Sequence, residues 1–508
     1  MARAKRLGWC ASCAVFLAAC SNELPDSIAP GYTAGSGATA AVGGNGGSLP
    51  PATGSGATGA AGQAGARPPT PGTGGAGSFG GVAGAVSGAA GTAGGAAGSA
   101  GLAAVGGSGG VGVALPDGKF VNLAPMPSTP LTKDMASMPS TPAPTGWDFF
   151  SIPNTFCRDG SGNGIYMRNG TANKLLIYFE GGGACTTVGF CHFNPANIDS
   201  VLTGDGQSVL GTALAAGPGR QQPGVYNNGA LDGIFSPDNA ENPYKDWNMV
   251  YVPYCTGDVH FGSNEAGMVP NLAEPQKFVG YKNSREFMSH IAPTFKGKVE
   301  RVVVTGASAG SFGAALNFSM IADSFAGTRV DAVLDSGAPF EDAQWPACLQ
   351  KSWRELWKMN DSFPKDCTEC FNADGGGMIG LADFLIRKHP TGNIAAISSL
   401  HDEVIRLFFT PGDDNCATIA TADPFEITLG QIGGTMLFSA DTYEKGLLGL
   451  RAKYASTNRI ASYYFAGDID TQHQHTFRPR FYEKLVGGKS MAQFTKEFLD
   501  GTNSQLGP

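Results

Sequence analysis

Val302-Val-Val-Thr-Gly-Ala-Ser-Ala-Gly-Ser311 is a β-branched run that leads into a serine flanked by small residues. Such a run predicts a buried parallel strand that turns sharply into a helix, with Ser308 at the tip of the turn. Small neighbours allow a strained turn, and the backbone N–H that follows the serine then points to where negative charge develops in acyl transfer. The stretch therefore predicts a nucleophilic serine at a strand–helix elbow.

Strands and helices alternate on both sides of this elbow. Apolar runs predict strands at residues 174–180, 247–253, 299–305, 330–335, 393–402 and 460–465, and helical spacing predicts helices at 284–291 and 312–322. The alternation favours an α/β fold in which helices cover both faces of a mostly parallel sheet. Residues 343–389, which mix Trp, Cys and Gly, predict a helical insertion over the site.

Two further loops follow predicted strands. The glycine run Gly181-Gly-Gly183 comes directly after the strand at 174–180, where such a loop offers backbone N–H groups to an oxyanion. A plain flexible turn is the alternative. Asp258 and His260 follow the strand at 247–253, a position from which they would either bind substrate or organise the loop.

A serine hydroxyl becomes an effective nucleophile when a histidine accepts its proton and a carboxylate orients that histidine. Asp402 and Asp335 each end a predicted strand. Asp402 is preferred because it comes one strand–helix unit later, which gives the Ser…Asp…His order of the α/β-hydrolases. Either His473 or His475, both beyond the last strand, supplies the base, and spacing alone does not separate them.

The same histidines suggest an alternative metal site. Asp468 and Asp470 lie close to His473 and His475 in sequence, and carboxylate with imidazole is a common ligand set. The tighter H-E-x-x-H signature of zinc hydrolases is absent. We therefore prefer the serine mechanism, with no metal.

The cysteines point to an oxidising compartment. Of the 11 cysteines, three precede residue 21 and eight lie further along the chain. An even number in an exported protein predicts up to four disulfides, of unknown connectivity since eight cysteines allow 105 pairings. Cys367-Thr-Glu-Cys370 has no second C-x-x-C partner, so we expect a structural disulfide there rather than half of a zinc site.

The first 114 of the 508 residues do not belong to the predicted fold. Three basic residues precede the apolar run Leu7–Ala19, which makes residues 1–19 a signal peptide. Leu17-Ala-Ala-Cys20 resembles a bacterial lipobox, so Cys20 is expected to carry the lipid; an ordinary signal with an incidental cysteine is the alternative. Ser21 at the next position favours the outer membrane of a Gram-negative cell.

Residues 20–114 are almost wholly Gly, Ala, Ser, Thr and Pro and predict a disordered tether, because they cannot bury a core. Residues 115–508 are left for one α/β domain with insertions. The net charge of −8 and the lack of a basic cluster exclude nucleic acid as a partner. We expect a monomer that is attached to the membrane only by its lipid.

Four motifs in this order resemble the pectin acetylesterase family, which includes the Notum-type carboxylesterases. They are Tyr178-Phe-Glu-Gly-Gly-Gly-Ala-Cys185, Asn248-Met-Val-Tyr-Val-Pro-Tyr-Cys-Thr-Gly-Asp-Val-His-Phe-Gly262, Gly306-Ala-Ser-Ala-Gly-Ser-Phe-Gly313 and Asp335-Ser-Gly337. The resemblance covers residues 149–481 and implies an α/β-hydrolase-like fold and a serine carboxylesterase without metal or cofactor.

The resemblance also implies roles for single residues. Ser308 matches the nucleophile, Asp402 the acid, and the histidine of His475-Thr-Phe477 the base of bacterial members, which places His475 above His473. Gly182 and Gly183 match the oxyanion loop, with the second N–H from Ala309.

One position departs from the plant pattern, because Ala184 stands where plant members carry a Trp. An aromatic wall beside the nucleophile is therefore missing or supplied elsewhere, which weakens the case for acetylated pectin itself. The expected substrate is an acetylated polysaccharide or another short-chain ester, followed by lipid-like esters and polyesters. A non-catalytic cell-surface binding protein and a metal-dependent deacetylase are the alternatives.

Overall fold

The computed structural model describes residues 129–132, 146–198, 225–226, 230–413, 415–417, 438–466 and 473–508. The predicted signal peptide, the Cys20 lipobox and the tether lie outside the described residues. Within the described part of the chain, no helix is long and apolar enough to cross a membrane.

The strands, in chain order, are β1 (Asp148–Phe156), β2 (Gly162–Arg168), β3 (Lys174–Phe179), β4 (Val225–Tyr226), β5 (Ala230–Leu231), β6 (Asn248–Val252), β7 (Asn264–Gly267), β8 (Gln276–Phe278), β9 (Arg301–Ala307), β10 (Arg329–Asp335), β11 (Ile394–Ser399), β12 (Ile460–Phe465), β13 (Leu485–Val486), β14 (Lys489–Ser490) and β15 (Gln505–Leu506). The α-helices are α1 (Val188–Phe193), α2 (Gly280–Phe295), α3 (Ala309–Ser324), α4 (Ala347–Leu356), α5 (Gly380–Lys388), α6 (Glu403–Phe409), α7 (Ala440–Tyr454), α8 (Arg480–Glu483) and α9 (Met491–Leu499).

One nine-stranded sheet organises the described chain, in the order β1-β2-β6-β3-β9-β10-β11-β12-β15. Pairing is parallel from β6 to β15, and β2 is antiparallel to both of its neighbours. The chain passes from β3 to β6 on one side and then returns to β9 on the other. This reversal is a topological switch point, where α/β proteins form their sites beyond the carboxyl ends of the strands.

Alternate residues of each strand face opposite sides of the sheet, and both sides are buried. In β9, Val302 and Val304 pack in the core beneath helices α2 and α3, whereas Val303 and Ala307 pack in the second core with residues of α8 and α9. A strand covered on both faces reads as a continuous apolar run, which is why 302–304 is Val-Val-Val. The predicted α/β-hydrolase-like class, with helices on both faces, is confirmed.

The predicted insertion is also helical, with α4 and α5 between β10 and β11. Its aromatic side chains pack against Phe312 in the first turn of α3, with Trp345 and Trp353 at ring-centroid distances of 5.5 and 6.3 Å. Buried aromatic contacts of this kind supply large apolar area. They hold the insertion against the helix that follows the elbow.

Eight cysteines form four disulfides, as predicted: Cys157–Cys255, Cys185–Cys191, Cys348–Cys416 and Cys367–Cys370. The C-x-x-C pair is a disulfide and not half of a zinc site. Cys185–Cys191 joins the end of the glycine loop, residues 181–185, to α1. Cys157–Cys255 joins the residue directly after β1 to the loop after β6. Two of the four cross-links therefore hold loops at the carboxyl edge of the sheet.

Candidate active site

Ser308 lies between β9 and α3, at the turn that the sequence predicts. Its backbone has φ +59° and ψ −125°, a sparsely populated conformation for a residue with a side chain. A Cβ at Gly310 would lie 2.0 Å from the Phe179 carbonyl oxygen, and one at Gly306 would lie 2.3 Å from the Gly310 carbonyl oxygen. Only glycine fits at these two positions, so the small residues around the serine are required by close backbone contact.

The glycine loop passes directly against this elbow. A Cβ at Gly181 would lie 3.1 Å from the Cβ of Ser308. Gly182 and Gly183 have φ of +151° and +82°, conformations that favour glycine. Within the described chain, the backbone N–H groups of residues 181–184 and of Ala309 donate to no acceptor. The loop therefore presents unused donors beside the serine, as an oxyanion hole requires.

Asp402 and His473 are in direct contact. The Nδ1 of His473 lies 2.8 Å from Oδ2 of Asp402, and both side chains are buried. The other oxygen, Oδ1, accepts the N–H groups of Val404 and Ile405, so Asp402 also caps the N-terminus of α6. Donation from Nδ1 to the carboxylate leaves Nε2 of His473 as the proton acceptor. Strand β11 ends at Ser399, three residues before Asp402, rather than on the carboxylate itself.

Asp335 lies at the end of β10 and holds the loop that carries His473. Its Oδ2 accepts hydrogen bonds from the N–H of His475 at 2.7 Å and from both the N–H and the hydroxyl of Thr476. Its carbonyl oxygen accepts the N–H of Ser308 at 2.9 Å. Asp335, the less favoured candidate for the catalytic acid, thus links the strand–helix turn at Ser308 to the loop that carries His473. Asp402 is the carboxylate that contacts the imidazole.

His475 does not contact Asp402. Its ring is fully buried, packs edge-on against Phe465 at 4.9 Å, and neither ring nitrogen has a hydrogen-bond partner in the described structure. The structure therefore brings His473, and not His475, to the carboxylate. This geometry favours His473 over the expected His475, because a base must be oriented by a hydrogen bond from its other nitrogen.

Burial of His475 gives a pH prediction. Desolvation lowers the pKa of His475, and likewise that of His260, to about 4. Between pH 6.5 and 4 the unfolded chain therefore binds protons that the folded chain does not, and these histidines lower the free energy of unfolding as the pH falls. Asp258 acts in the opposite direction, because desolvation raises its pKa to about 6 and the folded chain takes up that proton first.

We expect His475→Leu to remove one of the two destabilising contributions. The free energy of unfolding of the variant minus that of the wild type should be about 1–2 kcal/mol larger at pH 5 than at pH 7.5. Urea unfolding of both proteins at the two pH values measures this difference. An identical pH dependence would contradict it.

Asp258 and His260 organise the loop after β6. Asp258 accepts hydrogen bonds from the hydroxyl of Thr256 and the N–H groups of Gly262 and Gly280. The Nε2 of His260 lies 2.8 Å from the Glu180 carbonyl oxygen. Both side chains are almost fully buried, and their hydrogen bonds to neighbouring backbone groups favour the loop-organising alternative.

Phe408 supplies an aromatic ring beside the glycine loop, where Ala184 stands in place of the Trp of the plant pattern. Ala184 is buried, and the ring of Phe408 lies where a Cβ on Gly183 would be 3.0 Å from it. Phe190 packs behind Phe408, with 4.6 Å between ring centroids. An aromatic wall thus borders the glycine loop from α6, the helix whose N-terminus is capped by Asp402.

The alternative metal site is only partly within the described residues. Asp468 and Asp470 lie outside them, and His473 bonds to Asp402. Among the residues that the structure describes, no group of three His, Cys, Asp or Glu side chains is placed to hold a metal.

Comparisons with known proteins agree with the four motifs. Residues 150–380 match a family model described as Pectinacetylesterase. Palmitoleoyl-protein carboxylesterase Notum of Drosophila melanogaster is 27% identical over 228 residues, which are 42% of this chain and 31% of that protein. Pectin acetylesterase 4 of Arabidopsis thaliana is 27% identical over 159 residues, 30% of this chain and 34% of that protein. The chain thus spans about a third of the length of each relative.

A solved structure of the Wnt deacylase Notum from Drosophila is also similar, with a TM-score of 0.43 and 19% sequence identity. The match covers 68% of this chain and 90% of that one.

Proposed function

Residues 150–380 match the pectinacetylesterase family model, and from this premise we propose that the chain is a serine carboxylesterase. Its proposed catalytic residues are Ser308, His473 and Asp402. The 2.8 Å contact between His473 and Asp402 carries the proposal, because it orients an imidazole at the sheet edge that also holds Ser308. The unused N–H groups of the glycine loop support it independently.

In this proposal Ser308 attacks the ester carbonyl while Nε2 of His473 takes its proton. Asp402 accepts the Nδ1–H of His473 and stabilises the imidazolium that forms. Gly182, Gly183 and Ala309 donate their N–H groups to the developing oxyanion. His473 then returns the proton to the leaving alcohol, and water releases the acyl group from Ser308 by the same steps in reverse.

The substrate we propose is an acetyl or other short acyl ester on an extracellular polysaccharide. The position of Phe408 favours a substrate with a short acyl group, because its ring occupies the space next to Gly183. One relative is named for a palmitoleoyl-protein substrate, so a long-chain ester is the second candidate. Export and a lipid on Cys20 remain part of the proposal, and acyl labelling that is lost in Cys20→Ala checks them.

The test uses the whole chain with p-nitrophenyl acetate, butyrate and palmitate, each with and without EDTA, and with a fluorophosphonate probe. We expect hydrolysis that EDTA does not change, fastest on the shorter esters, and labelling of one serine per chain. A faster rate on palmitate would favour the long-chain candidate. Absence of labelling would support a non-catalytic binding protein, and loss of activity with EDTA would support the metal alternative.

A further inference from the structure

Three carbonyl groups in or directly before the glycine loop are held by side chains from elsewhere in the fold. The Glu180 carbonyl bonds to His260 at 2.8 Å, the Gly182 carbonyl to Asn194 Nδ2 at 3.1 Å, and the Gly183 carbonyl to the Tyr254 hydroxyl at 3.0 Å. All three side chains are at most 3% exposed. We call Asn194 and Tyr254, which hold the two glycine carbonyls, the carbonyl clamp.

The carbonyl clamp determines where two amides point. In a trans peptide the C=O and the next N–H lie in one plane and point in opposite directions. Holding the Gly182 carbonyl therefore fixes the N–H of Gly183, which is a proposed oxyanion donor, whereas holding the Gly183 carbonyl fixes the N–H of Ala184, in the other peptide plane that Gly183 joins. These are two of the donors that have no acceptor in the described chain.

The clamp residues are themselves held in place. The Asn194 carbonyl accepts Nη2 of the buried Arg158 at 2.7 Å. The Tyr254 hydroxyl accepts the N–H of Val259 at 2.8 Å while it donates to Gly183. Cys255, the next residue, is tied to Cys157 by a disulfide. A donor that is anchored in this way can oppose the free rotation of two adjacent glycines.

We propose that Asn194 and Tyr254 are positioning residues that hold the two peptide planes on either side of Gly183, and with them its oxyanion N–H, before substrate binds. This rests on the proposed function. Adjacent glycines at φ +151° and +82° have many accessible backbone conformations, so the peptide planes need an external constraint. Preorganised donors contribute most where charge develops in the transition state, because they need no reorientation at that moment.

The test compares Tyr254→Phe and Asn194→Leu with Tyr244→Phe in the whole chain. Tyr244 is a matched control, because it is also buried and its hydroxyl has no partner among the described residues. Loss of an oxyanion donor costs about 10²–10³ in kcat, and a misdirected donor should cost less, about 10- to 100-fold. We expect that full loss in kcat for Asn194→Leu, which frees the Gly183 N–H, and a smaller loss for Tyr254→Phe, which acts on Gly183 through the neighbouring peptide plane. For both variants KM should stay within about threefold of wild type.

A boronic acid that forms a tetrahedral adduct with the serine supplies a second readout. Its inhibition constant should rise in proportion to the loss of kcat/KM, because the adduct uses the same N–H groups. A purely structural role would lower the melting temperature and leave the kcat of the folded fraction and the boronic acid affinity unchanged.

The outcomes separate the two proposals. Clamp variants that match Tyr244→Phe in kcat and in boronic acid affinity would overturn the clamp, provided that the wild-type chain is labelled by fluorophosphonate. A wild-type chain that is neither labelled nor active would overturn the proposed function itself. Asn194→Leu keeps the test decisive if Tyr254→Phe does not fold, since each side chain holds a different carbonyl.

Discussion

Ser308→Ala is expected to lower kcat for p-nitrophenyl acetate by about 10³- to 10⁶-fold, the range found when a serine nucleophile is removed from a hydrolase that acts through a catalytic triad. Without the hydroxyl no acyl-enzyme forms, so fluorophosphonate labelling should disappear as well. The residual rate is the contribution of the oxyanion amides acting on water attack.

The substitution should leave the fold intact. Alanine also carries a Cβ, so the backbone strain at φ +59° is nearly the same before and after the change. No described residue is hydrogen-bonded to the Ser308 hydroxyl, so little stability depends on it. Near-wild-type melting with loss of activity would separate chemistry from folding.

Ser319→Ala is the matched control for Ser308→Ala. Ser319 is buried on α3, the helix that begins directly after Ser308. Its hydroxyl lies 3.0 Å from His389, a residue that the proposed mechanism does not use. The control should retain activity and labelling. Equal rates for Ser308→Ala and the wild type would remove Ser308 from the mechanism.

The sequence predicted the fold where local pattern and burial coincide. Strand β12 is Ile460–Phe465 as predicted, and β9 and β10 agree with the predicted strands to within two residues. These strands are buried on both faces, so their apolar runs are continuous and easy to recognise. The elbow was predictable because Gly306 and Gly310 are required by close backbone contact, a need that leaves a mark in the sequence.

No comparable sequence pattern identifies the histidine that contacts Asp402 or the two residues of the carbonyl clamp. His473 and His475 are two residues apart, and which one reaches Asp402 depends on how Asp335 holds the loop through the N–H groups of His475 and Thr476. The contact between Asp335 and His475 is made across 140 residues, so spacing does not encode it. Tyr254 likewise holds a carbonyl that lies 71 residues earlier in the chain, and Asn194 holds one 12 residues earlier, and neither spacing forms a motif.

His473→Ala is expected to lower kcat by about 10³- to 10⁶-fold, as removal of the base does in other serine hydrolases. His475→Leu should change kcat by less than about tenfold, since the structure gives its ring no hydrogen bond to any residue of the proposed mechanism. Initial rates with p-nitrophenyl acetate at pH 7.5, and the rate of fluorophosphonate labelling, measure both effects. Melting temperatures of the two variants show whether a loss comes from unfolding.

This pair of substitutions decides between the family motif and the geometry. The motif His475-Thr-Phe477 favours His475, whereas the 2.8 Å contact favours His473. A greater loss in His475→Leu, with its melting temperature retained, would mean that the loop rearranges in the active enzyme and brings the other imidazole to Asp402. Loss of activity in His473→Ala alone would make His473 the base and would leave the buried His475 the role of packing against Phe465. A base needs both a carboxylate that orients it and a path to the serine hydroxyl.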